Sequence, residues 1–166
     1  MQTWFKCVVN YVKIDDEGRE RKVSEAYLVD AVSYTDAEAR ITGQCQQFVR
    51  GEFRVKQITQ TNIVEIFPNE YGGIYYTGKI SIVTIDEKAG KEKKISESFL
   101  IEANDIKQAL KRLEEGLSYI LVPYEITALS VSNIYDVFPY FGDDAKKQIP
   151  SNLKLIVTDE QTEKSE

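Results

Sequence analysis

A twelve-residue run from Gly18 to Val29, Gly-Arg-Glu-Arg-Lys-Val-Ser-Glu-Ala-Tyr-Leu-Val, returns at Gly90 to Ile101 as Gly-Lys-Glu-Lys-Lys-Ile-Ser-Glu-Ser-Phe-Leu-Ile. Six positions are identical, and the other six exchange residues of similar type. Similarity at a fixed offset requires the chain to be read as one unit used twice before any fold is assigned. The flanks agree. Tyr124-Glu125-Ile126-Thr127 answers Phe53-Arg54-Val55-Lys56, and Asn133-Ile134-Tyr135-Asp136-Val137-Phe138-Pro139 answers Asn62-Ile63-Val64-Glu65-Ile66-Phe67-Pro68. The offset is 71 or 72 residues throughout.

Within the first unit, Phe5, Cys7, Val9 and Tyr11 alternate along one face of an expected strand, the period of two that marks a buried sheet face. Trp4, Val8 and Val12 occupy the other face, so that face is expected to be partly covered as well. Asp15-Asp16-Glu17-Gly18 reads as a hairpin turn, with a return strand from Arg19 to Asp30. Thr35 and Glu38 have the spacing of a capping box, and Ala37, Ile41, Cys45 and Phe48 form one helical stripe behind it. Phe53, Val55 and Ile58 begin a third extended segment, which Asn62 to Phe67 continues until Pro68.

The second unit retraces this route: strand Tyr75 to Ile85, turn Asp86 to Gly90, strand Lys91 to Glu102 and a helix from Asp105 to Leu121. Its helix carries Ile106, Ala109, Leu110, Leu113, Leu117 and Ile120 on one face. A unit of roughly 70 residues is marginal alone. The expected architecture is therefore α+β, a tandem duplication of a β-β-α-β(β) unit whose copies pack with pseudo-two-fold symmetry. Residues 1–70 and 71–140 are the two repeats. Residues 141–166 form an extension with an edge strand at Leu153 to Val157 and a polar, acidic tail expected to be disordered.

Val23-Ser24-Glu25-Ala26-Tyr27-Leu28-Val29-Asp30-Ala31, Asp36-Ala37-Glu38-Ala39-Arg40-Ile41 and Asp86-Glu87-Lys88-Ala89-Gly90-Lys91-Glu92-Lys93-Lys94 together resemble an uncharacterised bacterial family, a domain of unknown function. The resemblance runs from about Trp4 to Tyr140. It implies a small intracellular bacterial protein and assigns no chemistry to any residue.

The residues themselves argue against several classes of function. The 166-residue chain contains no histidine, which removes the commonest general base and the triads built on it. No phosphate-cradling glycine motif is present, and no cofactor or metal is implied. Asp15, Asp16 and Glu17 lack the alternate-position spacing of a calcium loop. A net charge of −6 disfavours nucleic acid as a partner, and no apolar run is long enough to span a bilayer. The protein is expected to be cytoplasmic, and Cys7 and Cys45 are expected to be buried free thiols.

Three groups of residues remain as candidate sites. Phe67, Tyr71, Tyr75, Tyr135, Phe138 and Tyr140 gather near the two Phe-Pro ends, and exposed aromatics at this density mark partner surfaces. Arg19, Arg21 and Lys22, with Lys91, Lys93 and Lys94, form two basic ribbons that suit an anion or RNA backbone. Interleaved Glu20, Glu25, Glu92 and Glu97 cancel much of that field. Glu25 and Glu97 also lie between inward-pointing residues, so each needs a partner, expected to be a lysine or arginine across the hairpin. The favoured function is a non-catalytic binding or adaptor protein whose partner is another protein. An RNA-binding or ribosome-associated regulator using the basic hairpins is the alternative, and an enzyme is not expected.

Overall fold

The computed structural model describes residues 3–139. Strands β1 (Thr3–Ile14) and β2 (Glu20–Ala31) form a hairpin, followed by helix α1 (Tyr34–Phe48), β3 (Phe53–Gln60) and β4 (Ile63–Phe67). Then come a second hairpin of β5 (Ile74–Asp86) and β6 (Lys91–Ala103), helix α2 (Ile106–Gly116), β7 (Tyr124–Val131) and β8 (Ile134–Phe138). The protein is α+β, with two sheets, two helices and most of its residues in strands. The Leu153–Val157 strand, the acidic tail and Tyr140 lie outside the described residues.

Both hairpins turn on a glycine at positive φ, Gly18 at 77° and Gly90 at 64°, a conformation that costs glycine little. In the first turn Asp15 Oδ1 accepts from the backbone N–H groups of Glu17 and Arg19. These bonds, the Arg19 amide first among them, hold the Asp15 carboxyl below its usual range.

Helix α1 begins two residues earlier than the Thr35–Glu38 spacing implies. Ser33 is its cap, accepting from the Asp36 amide at 3.1 Å, while Asp36 Oδ2 accepts from the Val32 amide at 3.0 Å. This is a variant of the capping box in which an aspartate reaches one residue beyond the cap, to the Val32 amide. In α2, Asp105 accepts from the Gln108 amide and Gln108 Oε1 accepts from the Asn104 amide, both at 2.7 Å. That helix stops at Gly116, short of the expected Leu121. A Cβ at Gly116 would stand 2.6 Å from Phe67 Cζ, so the close approach of β4 requires glycine there. Ile106 and Leu110, expected on the buried face, are exposed, and the buried stripe is Ala109, Leu113 and Leu117.

The sheets have the orders β3-β1-β2-β8 and β4-β6-β5-β7. Each thus takes one outer strand from the other half of the chain. β8 lies parallel to β2, and β4 lies parallel to β6. The third extended segment, expected to carry a polar break before Asn62 and a short last strand before Phe-Pro, is two strands, and they lie on two different sheets. Thr61 pins the crossover by donating from both its amide and its hydroxyl to Trp4 O. At the second crossover the Ser132 amide donates to Tyr75 O.

Strand periodicity then decides the layers. Phe5, Cys7, Val9, Tyr27, Val29 and Ala31 face Ala37, Ile41 and Cys45 of α1. Tyr76, Ile80, Phe99, Ile101 and Ala103 face Ala109, Leu113 and Leu117 of α2. The opposite sheet faces meet through Ala26, Leu28, Leu100 and Ile134, ringed by Trp4, Val8, Ile63, Ile66, Tyr75 and Val137. The order is helix, sheet, sheet, helix, and the coverage expected for the Trp4–Val8 face is provided by the second sheet.

Candidate functional site

Glu25 lies midway along the first hairpin, beside Val9 in the cross-strand register. It is half-buried. Period-two alternation puts Tyr27 on the same face two residues along, and Tyr11 belongs to the same core layer. Tyr11 Oη donates to Glu25 Oε2 at 2.7 Å, and Tyr27 Oη donates to the same oxygen. The lysine or arginine expected across the hairpin is not the partner: none of the described basic side chains makes an ion pair with Glu25. Two neutral donors serve instead, the kind of compensation that a carboxylate leaving water requires.

The tyrosines pay for this with their acidity. Burial first, and the bond to Glu25 second, push both hydroxyls above the usual tyrosine value of 10.0. They therefore stay protonated and act as donors at any physiological pH. Tyr27 Oη is oriented by its ring, which stacks on Phe138 with centroids 5.3 Å apart and planes at 18°. Phe48 of α1 and Tyr135 of β8 complete the ring cluster, at 5.6 Å and 5.8 Å from Tyr27.

Tyr135 reaches this position through a register slip. Ala26 pairs with Ile134 and Tyr27 pairs with Asp136, so Tyr135 sits opposite no residue of β2. A bulge of this kind re-aims one side chain. Around the cluster opens a cavity of about 580 Å³, lined by Glu25, Tyr11, Tyr27, Phe48, Tyr135 and Phe138, with Asp136, Lys13 and Arg50 also on its wall. Lys13 and Arg50 are exposed. Asp136 is exposed as well, and Glu25 is the half-buried charged group of the lining. Three of its twelve lining residues, Tyr135, Asp136 and Phe138, come from β8, so neither half of the chain encloses the cavity alone.

The aromatic residues singled out from sequence are dispersed among several environments. Phe67 stacks on Phe99 at 5.6 Å and 7° and packs against the α2 core. Tyr75 lies between the sheets, its hydroxyl pushed up by burial and by a hydrogen bond to Glu102. Tyr71 is 86% exposed. Tyr135 and Phe138 do meet, in the cavity wall. Of the basic residues, Arg19 pairs with Asp15 and Glu17, and Arg21 pairs with Asp15 at 3.0 Å. Lys22, Lys91, Lys93 and Lys94 are exposed. Cys7 and Cys45 are free and buried in the α1 core, burial pushing their thiols up to about 12 and about 11.

Tyr11, Tyr27 and Phe48 were not anticipated as site residues. A signal for two of them is present in the repeat. Tyr11 and Tyr27 of the first copy align with Ile82 and Phe99, and Tyr135 of the second aligns with Val64, so each hydroxyl is absent from the other copy, whereas the glutamate appears in both.

The fold and this cavity define a class, a two-sheet α+β protein with a carboxylate-floored aromatic pocket. The chain belongs to the family described as domain of unknown function DUF4494, whose model matches residues 3–140. No curated protein and no solved structure matches it. No helix among the described residues is long and apolar enough to cross a membrane.

Proposed function

We propose that the protein is a non-catalytic binding or adaptor module, a duplicated chain whose two copies are related by an approximate two-fold and together build one receptor cavity for a group carried by another protein. The duplication is supported by the reciprocal exchange of β4 and β8 and by register slips at Val8/Val9 and Lys79/Ile80, residues that the repeat aligns. The observation that carries the binding reading is Glu25. It is a half-buried carboxylate held by two tyrosines in an aromatic cavity walled by both halves. Protonated tyrosines can orient a bound group but cannot accept its proton, and the sequence offers no histidine to act as a base near neutrality.

The test is a photo-crosslinking residue at position 135, introduced in the native host. It should trap one discrete partner, and Glu25→Gln should abolish the adduct. The same residue at exposed Tyr71 should not trap that partner. Equal, indiscriminate labelling from both positions would rule the reading out.

A further inference from the structure

Resting on that reading of the cavity, we infer that it is a seat for an alkylammonium group, with Glu25 as the counter-charge and the rings of Tyr27, Phe48, Tyr135 and Phe138 as the walls. Both tyrosine bonds end on Glu25 Oε2, which leaves Oε1 outside the triad. The donors are neutral, and none of the described basic side chains pairs with the carboxylate. An apolar ligand would cover that oxygen with nothing to bond it, a costly arrangement. An anion would meet both the carboxylate and the negative faces of the rings. A cation is attracted by each of them, and aromatic walls beside a carboxylate are suited to alkylated ammonium groups. Lys13 and Arg50 line the same cavity, but both are exposed and screened by water whereas Glu25 is half-buried.

The same chemistry has two sources: a free amine, or a lysine side chain of the partner. The probes are choline chloride, its uncharged isostere with carbon in place of nitrogen, and a lysine-containing peptide, each titrated into full-length protein at matched ionic strength. Ring resonances of Tyr27, Phe48 and Phe138 are the readout. Choline should shift them saturably and the isostere should not. Glu25→Gln should abolish the shifts. Should that variant fold poorly, Tyr135→Ala at a half-exposed position should weaken binding about tenfold. Glu97→Gln should change nothing. Peptide binding about tenfold tighter than choline assigns the cation to a partner protein, and weaker peptide binding assigns it to a free amine. If the isostere binds as well as choline, the ammonium inference fails while the cavity stands as a binding site. If neither probe moves the rings, both fail.

Discussion

Glu25 and Glu97 occupy aligned positions midway along the two hairpins, each opposite an aliphatic residue of the preceding strand, Val9 and Ile80. Their surroundings diverge. Glu25 accepts from two tyrosines, whereas Ile82 and Phe99 stand at the aligned positions near Glu97 and offer no donor. The apolar framework is nevertheless shared, because Tyr27 stacks on Phe138 as Phe99 stacks on Phe67. Tyr119 feels Glu97 electrostatically, its hydroxyl raised mainly by burial, then by Glu65 and Glu97. The comparison separates two roles. Ring stacks at the exchanged strands hold the architecture together, and hydroxyls added to one stack make a polar site.

The stacks should matter most. Phe138→Ala and Phe67→Ala should each destabilise the protein by about 3 kcal/mol, because each removes the ring that anchors an exchanged strand. Equilibrium urea unfolding measures both. A loss below about 1 kcal/mol at either site would mean that strand is not anchored by its ring. Phe67 has a further tie, since Arg112 Nη2 of α2 donates to Pro68 O just beyond it.

A second asymmetry concerns volume. Cys7 and Ile41 in the first core align with Gly78 and Leu113 in the second. A Cβ at Gly78 would lie 2.7 Å from Leu113 Cδ2 and 3.1 Å from Ile101 Cδ1. Gly78→Ala should therefore cost about 1–3 kcal/mol by overpacking. Adding Leu113→Val should recover part of that loss, and a double-mutant cycle with no coupling would refute the compensation.

Exchanging the hydroxyl tests the polar difference directly. Tyr27→Phe imports the residue of the other copy and should cost about 1.5 kcal/mol, the usual worth of a hydrogen bond to a charged group. The reciprocal Phe99→Tyr should be nearly neutral, because its hydroxyl would find Glu97. A large loss there would show that the second carboxylate is out of reach.

The smallest effect is the pH dependence. Tyr11 and Tyr27 have folded values raised above the ordinary 10.0. Their contribution is therefore fully present below pH 10 and is lost as pH rises and the hydroxyls ionise. Wild-type protein should lose stability more steeply above pH 10 than Tyr27→Phe. Identical alkaline slopes would sever the link between those hydroxyls and Glu25.

Much of the fold was legible in the residues. Alternation at Phe5, Cys7, Val9 and Tyr11 gave β1 and its buried face, and Gly18 marked the turn. The stripe of Ala37, Ile41 and Cys45 gave α1. Caps were less legible because Ser33, Thr35 and Asp36 all qualify chemically, and tertiary position chose the first. The site was legible only in part. Tyr135 and Phe138 were picked out as a partner surface, and Glu25 as needing a partner, but nothing joined them. Tyr140 falls outside the described residues.

By itself the sequence determined the two hairpins, the two amphipathic helices and the reuse of one pattern. Those depend on contacts between near neighbours, and periodicity records such contacts directly. Only the tertiary structure decided that β4 and β8 cross to opposite sheets, and hence that Tyr135 meets Tyr27 and Glu25. A period of two fixes which face a strand buries but not which sheet edge it joins. That choice is made by packing between segments far apart in the chain, where no local pattern reaches.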